Sequence, residues 1–503
     1  MKIFSSEQIR DIDSYTIANE PIASVDLMER ASNAIFEWMA QNLSFTNRFV
    51  FICGPGNNGG DGLAVARMMF FAGFNVSVYY IDSTTYSSDF TINLSRLKKT
   101  NVYLKIIIGE SDFPLLNHND IIVDALYGSG LSRPIEGLVA KLVQHINQSI
   151  AKVVAIDIPS GLFNIENPYP NTNTVVKADA CLTLQFPKLS FFFAENEMCV
   201  GQWSVLPIGL HPTVIDEKST PYYYLENTDV LAILKPRTIF SHKGTFGHCL
   251  VIGGSYGMMG AAALCAKAAV KSGSGLVTMH VPKCGYTIAQ QLVPMAMCTV
   301  DTNENFIASI SNIDKYSSIC IGPGLGTNPQ TVKVLEDIIV KANVPLVLDA
   351  DALNAMADDR TLLSMLGRHV VLTPHPKEMD RLLGIESASS YDRHLRTTEF
   401  AVKHDCTVVL KGAYTAICTA DGKTYFNPTG NPGMAKGGSG DVLTGLLVGV
   451  LAQGYEVLNS SMLSVYMHGL AGDFAAARFG QDAMRPSDLV DHLPEAWQQI
   501  RRG

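Results

Sequence analysis

Asn431-Pro432-Gly433-Met434-Ala435-Lys436-Gly437-Gly438-Ser439-Gly440-Asp441, running directly into the apolar Val442-Leu443-Thr444-Gly445-Leu446-Leu447, decides how this chain is read. Glycines at 433, 437, 438 and 440 let backbone N–H groups converge with no Cβ in the way. A helix beginning near Gly440 adds its positive end to any phosphate held there. Asp441 then falls in the first turn of that helix, where its anion is stabilised and it is placed to take a proton from a hydroxyl beside a nucleotide phosphate. The alternative for the segment is a glycine-rich connection with Asp441 as a plain helix cap.

Outward from this loop, short β-branched runs alternate with helical patterns: Arg48–Cys53, Asn75–Ile81, Ile121–Asp124 and Val153–Ile158 in the first half, then Cys249–Ile252, Ile319–Ile321, Leu346–Leu348 and Thr407–Leu410. The alternation predicts parallel α/β architecture. At 503 residues the chain exceeds one ordinary core. The polar, Pro-containing stretch from His211 to about Asn227 lacks core periodicity, which places the division near residue 225 and gives domains 1–225 and 226–503. The glycine loops of the two halves differ in order and surroundings, so they are two sites and not a repeat.

Hydrophobic residues at 47%, charged residues at 17% and a net charge of −9 describe a globular protein without a nucleic-acid surface. The ten cysteines show no paired or zinc-like spacing, so free thiols in a reducing cytoplasm are expected. No apolar stretch has the length of a membrane span, and the first residues read as a helix capped by Ser5 or Ser6 instead of a signal peptide.

In the C-terminal half, Cys249-Leu250-Val251-Ile252-Gly253-Gly254 leads into a helix opening with small residues including Ala261, and Gly322-Pro323-Gly324-Leu325-Gly326 follows another strand end. Asp349-Ala350-Asp351-Ala352-Leu353-Asn354, Thr373-Pro374-His375-Pro376-Lys377-Glu378 and Lys411-Gly412-Ala413-Tyr414-Thr415 each place polar groups at the same edge. In order and content these motifs, with Gly244-Thr245-Phe246-Gly247-His248 before them, resemble the ribokinase-like superfamily, and most closely its NAD(P)HX dehydratase branch, over roughly 230–503. The resemblance implies an enzyme that spends ADP or ATP, with Mg²⁺ on the nucleotide, to remove water from hydrated NADH or NADPH. It assigns Lys411, Gly412, Ala413, Tyr414, Thr415 and Gly440 to the adenine nucleotide. Ala261, Gly324, His375 and Asp441 fall to the hydrated dinucleotide, with Asp441 as catalytic base. Phosphorylating the ring hydroxyl and expelling phosphate would drive the dehydration.

In the N-terminal half, Gly54-Pro55-Gly56-Asn57-Asn58-Gly59-Gly60-Asp61-Gly62 follows the strand Phe49–Cys53 in Rossmann style, with side-chain oxygens that suit a ribose or a monovalent cation as well as phosphate. Asp124 and Asp157 end two further strands, and carboxylates at buried strand tips need a cation or donors. These segments resemble the NAD(P)HX epimerase domain over 1 to about 215. The resemblance implies a Rossmann-like domain with Asn57, Asn58, Gly59, Gly60, Asp61, Gly128, Ser129, Gly130, Leu131, Ser132, Arg133, Pro134 and Asp157 on the hydrated dinucleotide. It also implies a K⁺ site of Asn58, Asp124 and Ser160. Asp157 is the favoured proton-handling group for interconverting R and S forms, with the reverse assignment, Asp124 catalytic and Asp157 structural, left open.

Together the two resemblances describe a bifunctional NAD(P)HX repair enzyme, with the fused form pointing to ADP and a homo-oligomer expected at family level. The rival readings are a ribokinase-like hydroxymethyl kinase, told apart by a stable phosphorylated product, and an N-terminal half that binds ligand without catalysis.

Overall fold

The structure is a computed structural model and describes residues 1–502. The chain forms two compact units: Lys2–Thr220, and Pro221 onward together with Met1.

In the first unit a seven-stranded sheet runs in the order Tyr103–Ile107, Asn75–Ile81, Arg48–Cys53, Asp120–Ala125, Lys152–Ile156, Ala180–Leu184, Gln202–Leu206. Every pairing in it is parallel. Alternation along the strands decides what each face packs against. Phe49 and Phe51 point to one side, into a core with Ile35 and Met39 of the helix Ser24–Asn42 and Leu63, Ala66 and Met69 of Asn57–Phe71. Val50 and Ile52 point to the other, against Leu142, Val143 and Ile146 of Gly137–Gln148. Strand order reverses between Arg48–Cys53 and Asp120–Ala125. The loops leaving these two strands part there, which is where open α/β sheets hold ligands. The first helix, Ser6–Asn19, is fixed by a capping box between Ser5 and Gln8, as its sequence predicts.

The second unit is a doubly covered sheet. Its parallel centre runs Thr407–Leu410, Val370–Leu372, Leu346–Leu348, Ser318–Ile321, His248–Ile252, Leu276–Val281, Met297–Val300. Beyond Thr407–Leu410 lie the antiparallel Ala416–Cys418 and Thr424–Phe426, and then Tyr222–Tyr224. Cys249, Val251, Cys320, Val347, Val371 and Val409 pack with the helices Met259–Lys271, Ser439–Ala452, Val457–Phe479 and Pro486–Arg502. Leu250, Ile252, Ile319, Ile321 and Leu348 on the alternate face are also buried. The stretch from His211 to Asn227 is not structureless: it holds the short helix Pro212–Glu217, and Tyr222–Tyr224 joins the sheet by parallel pairing with Thr424–Phe426. That strand escapes local pattern because its partner lies about two hundred residues away and all three tyrosines are only half-buried.

All ten cysteines are free thiols, and among the described residues no helix is long and apolar enough to cross a membrane.

Candidate active sites

In the first unit the carboxyl edge of the sheet opens into a cleft of about 880 Å³. Its lining includes Asn57, Asn58, Asp61, Asp157 and the whole of Gly128–Pro134, together with Asp13 and Arg10 from the first helix. Of the residues assigned to the hydrated dinucleotide, Gly59 and Gly60 sit buried behind this wall in the first turn of Asn57–Phe71.

Asp157 follows the strand Lys152–Ile156 in a left-handed backbone conformation, φ 68°. Its Oδ1 meets the Nζ of Lys188 at 2.7 Å, and its Oδ2 accepts from the Ser129 N–H at 3.0 Å. Burial alone would raise its proton affinity. The Lys188 ammonium and the Ser129 N–H more than offset that and hold the carboxyl below the usual carboxylate range. A Cβ on Gly128 would lie 3.2 Å from Asp157 Oδ2 and 3.3 Å from Asn58 Oδ1, so the missing side chain keeps both groups facing the cleft.

Asp124 is placed differently. It is 0% exposed, stands outside the cleft lining, and accepts from the Ser160 N–H (2.8 Å), the Ser160 hydroxyl (2.7 Å) and the Leu126 N–H (3.2 Å). Burial pushes it up to about 6 in spite of those bonds. Asn58 is also buried, and its Nδ2 has no partner. The orphan Nδ2 is a donor and does not itself call for a cation; the oxygens that could hold a monovalent cation here are Asn58 Oδ1, the Asp124 carboxylate and the Ser160 hydroxyl.

In the second unit Gly438 takes a left-handed conformation, φ 104°, and caps the helix Ser439–Ala452, so Asp441 stands in its first turn as the loop sequence predicts. Beneath it is a charged network. Lys411 Nζ meets Asp349 Oδ1 at 3.0 Å and Glu378 Oε2 at 3.8 Å, and Thr444 Oγ1 donates to Asp349 Oδ2 at 2.6 Å. Burial, then the negative charge of Asp349, raises Asp441 to about 7, with Lys411 pulling the other way. Lys411 is itself held above its ordinary range: burial opposes its charge, but Asp349 and Glu378 outweigh it. A Cβ on Gly440 would stand 3.2 Å from Lys411 Nζ, which ties the glycine cradle to this cation.

The remaining predicted residues group around the same edge. Gly324, φ 59°, packs its backbone against Met258 and lies where a Cβ would come within 3.2 Å of Ala261 Cβ, so these two assignments adjoin one another. His375 caps the helix Pro376–Leu383 through Nδ1, and Glu378 returns a bond to its N–H at 2.7 Å. Burial lowers the imidazole's proton affinity, and its Nε2 stands 3.5 Å from Glu378 Oε1. In Gly412–Thr415 the Thr415 hydroxyl donates to the Gly412 carbonyl at 2.9 Å, closing a tight turn after the strand.

Sequence reasoning missed Lys188 and Asp13, and gave Asp349 no role of its own. Lys188 had one signal, a lone lysine opening the apolar run Leu189–Phe193, where it is 1% exposed.

Two α/β units, each with a glycine loop and a perturbed carboxylate at the carboxyl edge of its sheet, define a two-site nucleotide-handling enzyme. Similarity to known proteins is consistent with this. A family model described as NAD(P)H-hydrate dehydratase matches residues 249–495, and one described as YjeF-related protein N-terminus matches 24–190. A bifunctional NAD(P)H-hydrate repair enzyme of Moorella thermoacetica is 35% identical across 98% of this chain and 96% of its own length. One of Thermofilum pendens is 34% identical across 100% and 97%. Among solved structures, a ribokinase-like superfamily protein of Enterococcus faecalis superposes with a TM-score of 0.50 at 26% identity, over 57% of this chain and 99% of that one. An ADP/ATP-dependent NAD(P)H-hydrate dehydratase of Bacillus subtilis, crystallised with ATP and Mg²⁺, gives 0.49 at 30% identity over 55% and 98%. The chain belongs to the family of bifunctional NAD(P)H-hydrate repair enzymes.

Proposed function

We propose that the second unit dehydrates the S form of hydrated NADH or NADPH at the expense of ADP or ATP, and that the first interconverts the R and S forms. The observation that carries this reading is the pair of carboxylates with opposite proton affinities: Asp441, raised to about 7 over a glycine cradle, and Asp157, held low in its own cleft.

In the dehydratase site Asp441 takes the proton of the ring hydroxyl as its oxygen attacks the terminal phosphoryl in line. Its raised proton affinity suits that acceptance near neutral pH. Lys411, fixed by Asp349 and Glu378 and lying beneath Gly440, offers positive charge to the phosphates, and the first N–H groups of Ser439–Ala452 add theirs. The phosphorylated carbon then loses phosphate with the ring proton to restore the double bond. Mg²⁺ carried on the nucleotide phosphates would supply further charge neutralisation there. The protein's own carboxylates are already engaged, Asp349 by Lys411 and Thr444 and Asp351 by the Gly326 N–H, which favours an ion carried by the nucleotide over a protein cage.

In the epimerase site the loop Gly128–Pro134 with Asn57, Asn58 and Asp61 holds the dinucleotide, and Asp157 faces the reacting carbon. K⁺ held by Asn58, Asp124 and Ser160 would supply fixed positive charge behind the loop. Asp124 is set to orient Ser160, whose hydroxyl in turn accepts from the Tyr127 N–H at 2.8 Å and so fixes the start of the substrate loop.

The test is the return of reduced-nicotinamide absorbance from mixed R and S hydrated NADH with Mg²⁺, K⁺ and ADP or ATP. Complete recovery by the native chain is expected, stopping near the S fraction in Asp157→Ala and vanishing in Asp441→Ala. No recovery with either nucleotide, or a stable phosphorylated product, overturns the reading.

A further inference from the structure

We infer that Asp13 is the acid of the epimerase site, giving its proton to the departing ring hydroxyl, while Asp157 is ionised as the cation forms and then receives the proton of the water that replaces the hydroxyl. The inference rests on the epimerase reading above.

Asp13 projects from the helix Ser6–Asn19 into the cleft that Asn57, Gly128 and Asp157 line. The three aspartates there are not equivalent. Asp157 has both oxygens taken, by Lys188 and by the Ser129 N–H, which fixes it as an anion. Asp61 turns back toward Ser32, whose hydroxyl lies 3.4 Å from its Oδ1, and burial lifts it far above the carboxylate range, so it is a reluctant proton donor. The Asp13 carboxyl has no hydrogen-bond or ion-pair partner among the described residues. Burial, followed by the negative charge of Asp157, raises it to about 7, with Lys188 opposing. An acid whose proton affinity matches the working pH is the efficient donor, and two carboxyl groups pushed apart by their surroundings divide into acid and base. The charged groups around Asp13 are Asp157 after Lys152–Ile156, Asp61 on Asn57–Phe71, Lys188 ahead of Leu189–Phe192, Arg10 on its own helix, and Arg133 and Glu136 on the loop of the cleft.

Hydration of the reduced ring puts the hydroxyl on the carbon bonded to the ring nitrogen, since an enamine takes its proton at the β carbon and water at the α carbon. The Asp13 proton passes to that hydroxyl oxygen, and the C–O bond breaks with its electron pair leaving on water. The nitrogen lone pair closes an N=C bond, and the resulting cation lies over ionised Asp157. A second water then adds to the opposite face. Its oxygen lone pair forms the new C–O bond, the N=C pair returns to nitrogen, and the proton lost by this water goes to Asp157. Nothing is oxidised or reduced. Asp13 ends one proton short and Asp157 one proton long, and exchange with water in the cleft restores both.

The experiment uses the full chain with mixed R and S hydrated NADH, ADP, Mg²⁺ and K⁺, and resolves an S phase set by dehydration from an R phase set by epimerisation. In Asp13→Asn the R-phase kcat should fall by roughly 10²–10³-fold, with KM and the S phase unchanged, because the lost group handles a proton. The native R phase should decline as pH rises past about 7, where Asp13 loses its proton. That decline should be absent from the residual activity of Asp13→Asn and present again in Asp13→Glu, which also guards against a folding defect. An Asp13→Asn R phase within about threefold of native, or a loss confined to KM, overturns the inference while leaving the epimerase reading intact. Absence of any R phase in the native protein removes the epimerase reading itself, and the inference with it.

Discussion

Replacing Lys188 with methionine is the sharpest test of the first unit, because it deletes one buried charge and keeps the volume. The ammonium is 1% exposed and lies 2.7 Å from Asp157 Oδ1, with the Phe186 carbonyl as its other acceptor at 3.1 Å. Taking away one member of a buried pair leaves the other charge uncompensated, which costs about 3–5 kcal/mol. The sign of the pH dependence follows from Asp157. In the native protein its proton affinity is depressed, so its ionised form contributes stability above the unfolded value of about 3.9, and this is lost as pH falls through the lower folded value. Without the lysine, burial dominates and the folded value moves above about 3.9, so the variant loses stability as pH rises through that region. The gap between the two proteins should therefore be smallest below the folded value of native Asp157 and widen by up to about 1.4 kcal/mol per pH unit for as long as Asp157 is ionised in the folded native protein and neutral in the folded variant. Denaturant unfolding followed by tryptophan fluorescence reads this directly, since Trp203 packs on Phe191 and Phe192 at 5.7 and 5.9 Å, immediately beyond Lys188. The same variant should lose the R phase of repair and keep the S phase. A destabilisation below about 1 kcal/mol at pH 7, or one that does not change between pH 4 and 7, refutes the account of Asp157 as an anion held by this lysine.

Dehydration should rise with pH through about 7, because Asp441 must lose its raised proton to act as base, and Asp441→Asn should lower it by roughly 10²–10⁴-fold while chiral separation still shows R and S interconverting. Gly128→Ala brings a methyl to 3.2 Å from Asp157 Oδ2 and should raise the KM of the R phase, measured with saturating ADP, without touching the S phase. Replacing K⁺ by a bulky organic cation should slow only the R phase, and an equal slowing of both phases would argue against Asn58, Asp124 and Ser160 as the cation site. Gly445→Ala should lower the melting temperature of the second unit, since its Cβ would fall 1.9 Å from the Cys265 carbonyl oxygen, whereas Gly440→Ala meets the Lys411 ammonium at 3.2 Å and should act on nucleotide KM, read from initial rates.

What the sequence disclosed and what it withheld divide along one physical line. Asp441 was legible because the glycines, the helix start and the carboxylate are consecutive, so local geometry fixes their relation. The parallel strands were legible for the same reason, their apolar runs being bounded by turn residues. Asp124 and Asp157 both end strands and read alike. Only the tertiary packing, which buries Asp124 behind Ser160 and turns Asp157 to the cleft, separates them. Lys188 and Asp13 lie 31 residues after and 144 residues before Asp157, on elements whose own patterns are a hydrophobic turn and an ordinary polar helix. No local rule connects them to a site, because the attraction and repulsion that shift their partners act through space.

The opposed proton affinities of Asp157 and Asp441 follow from the charges their reactions develop. On the proposed reading, inverting a carbon bonded to nitrogen passes through a cation, so the group beneath it serves best as an anion when that cation forms, and a buried carboxylate is kept ionised by a countercharge as close as Lys188. Phosphoryl transfer to a hydroxyl needs a group that binds the released proton firmly, so a carboxylate crowded by Asp349, Asp351 and Glu378 is the better base even though Lys411 is near. Exchanging the surroundings would impair both. An Asp157 freed of its lysine would hold its proton more firmly, and an Asp441 relieved of its acidic neighbours would be a weaker base for the hydroxyl proton. Each unit thus spends its buried charges on moving one carboxylate in the direction its own chemistry requires.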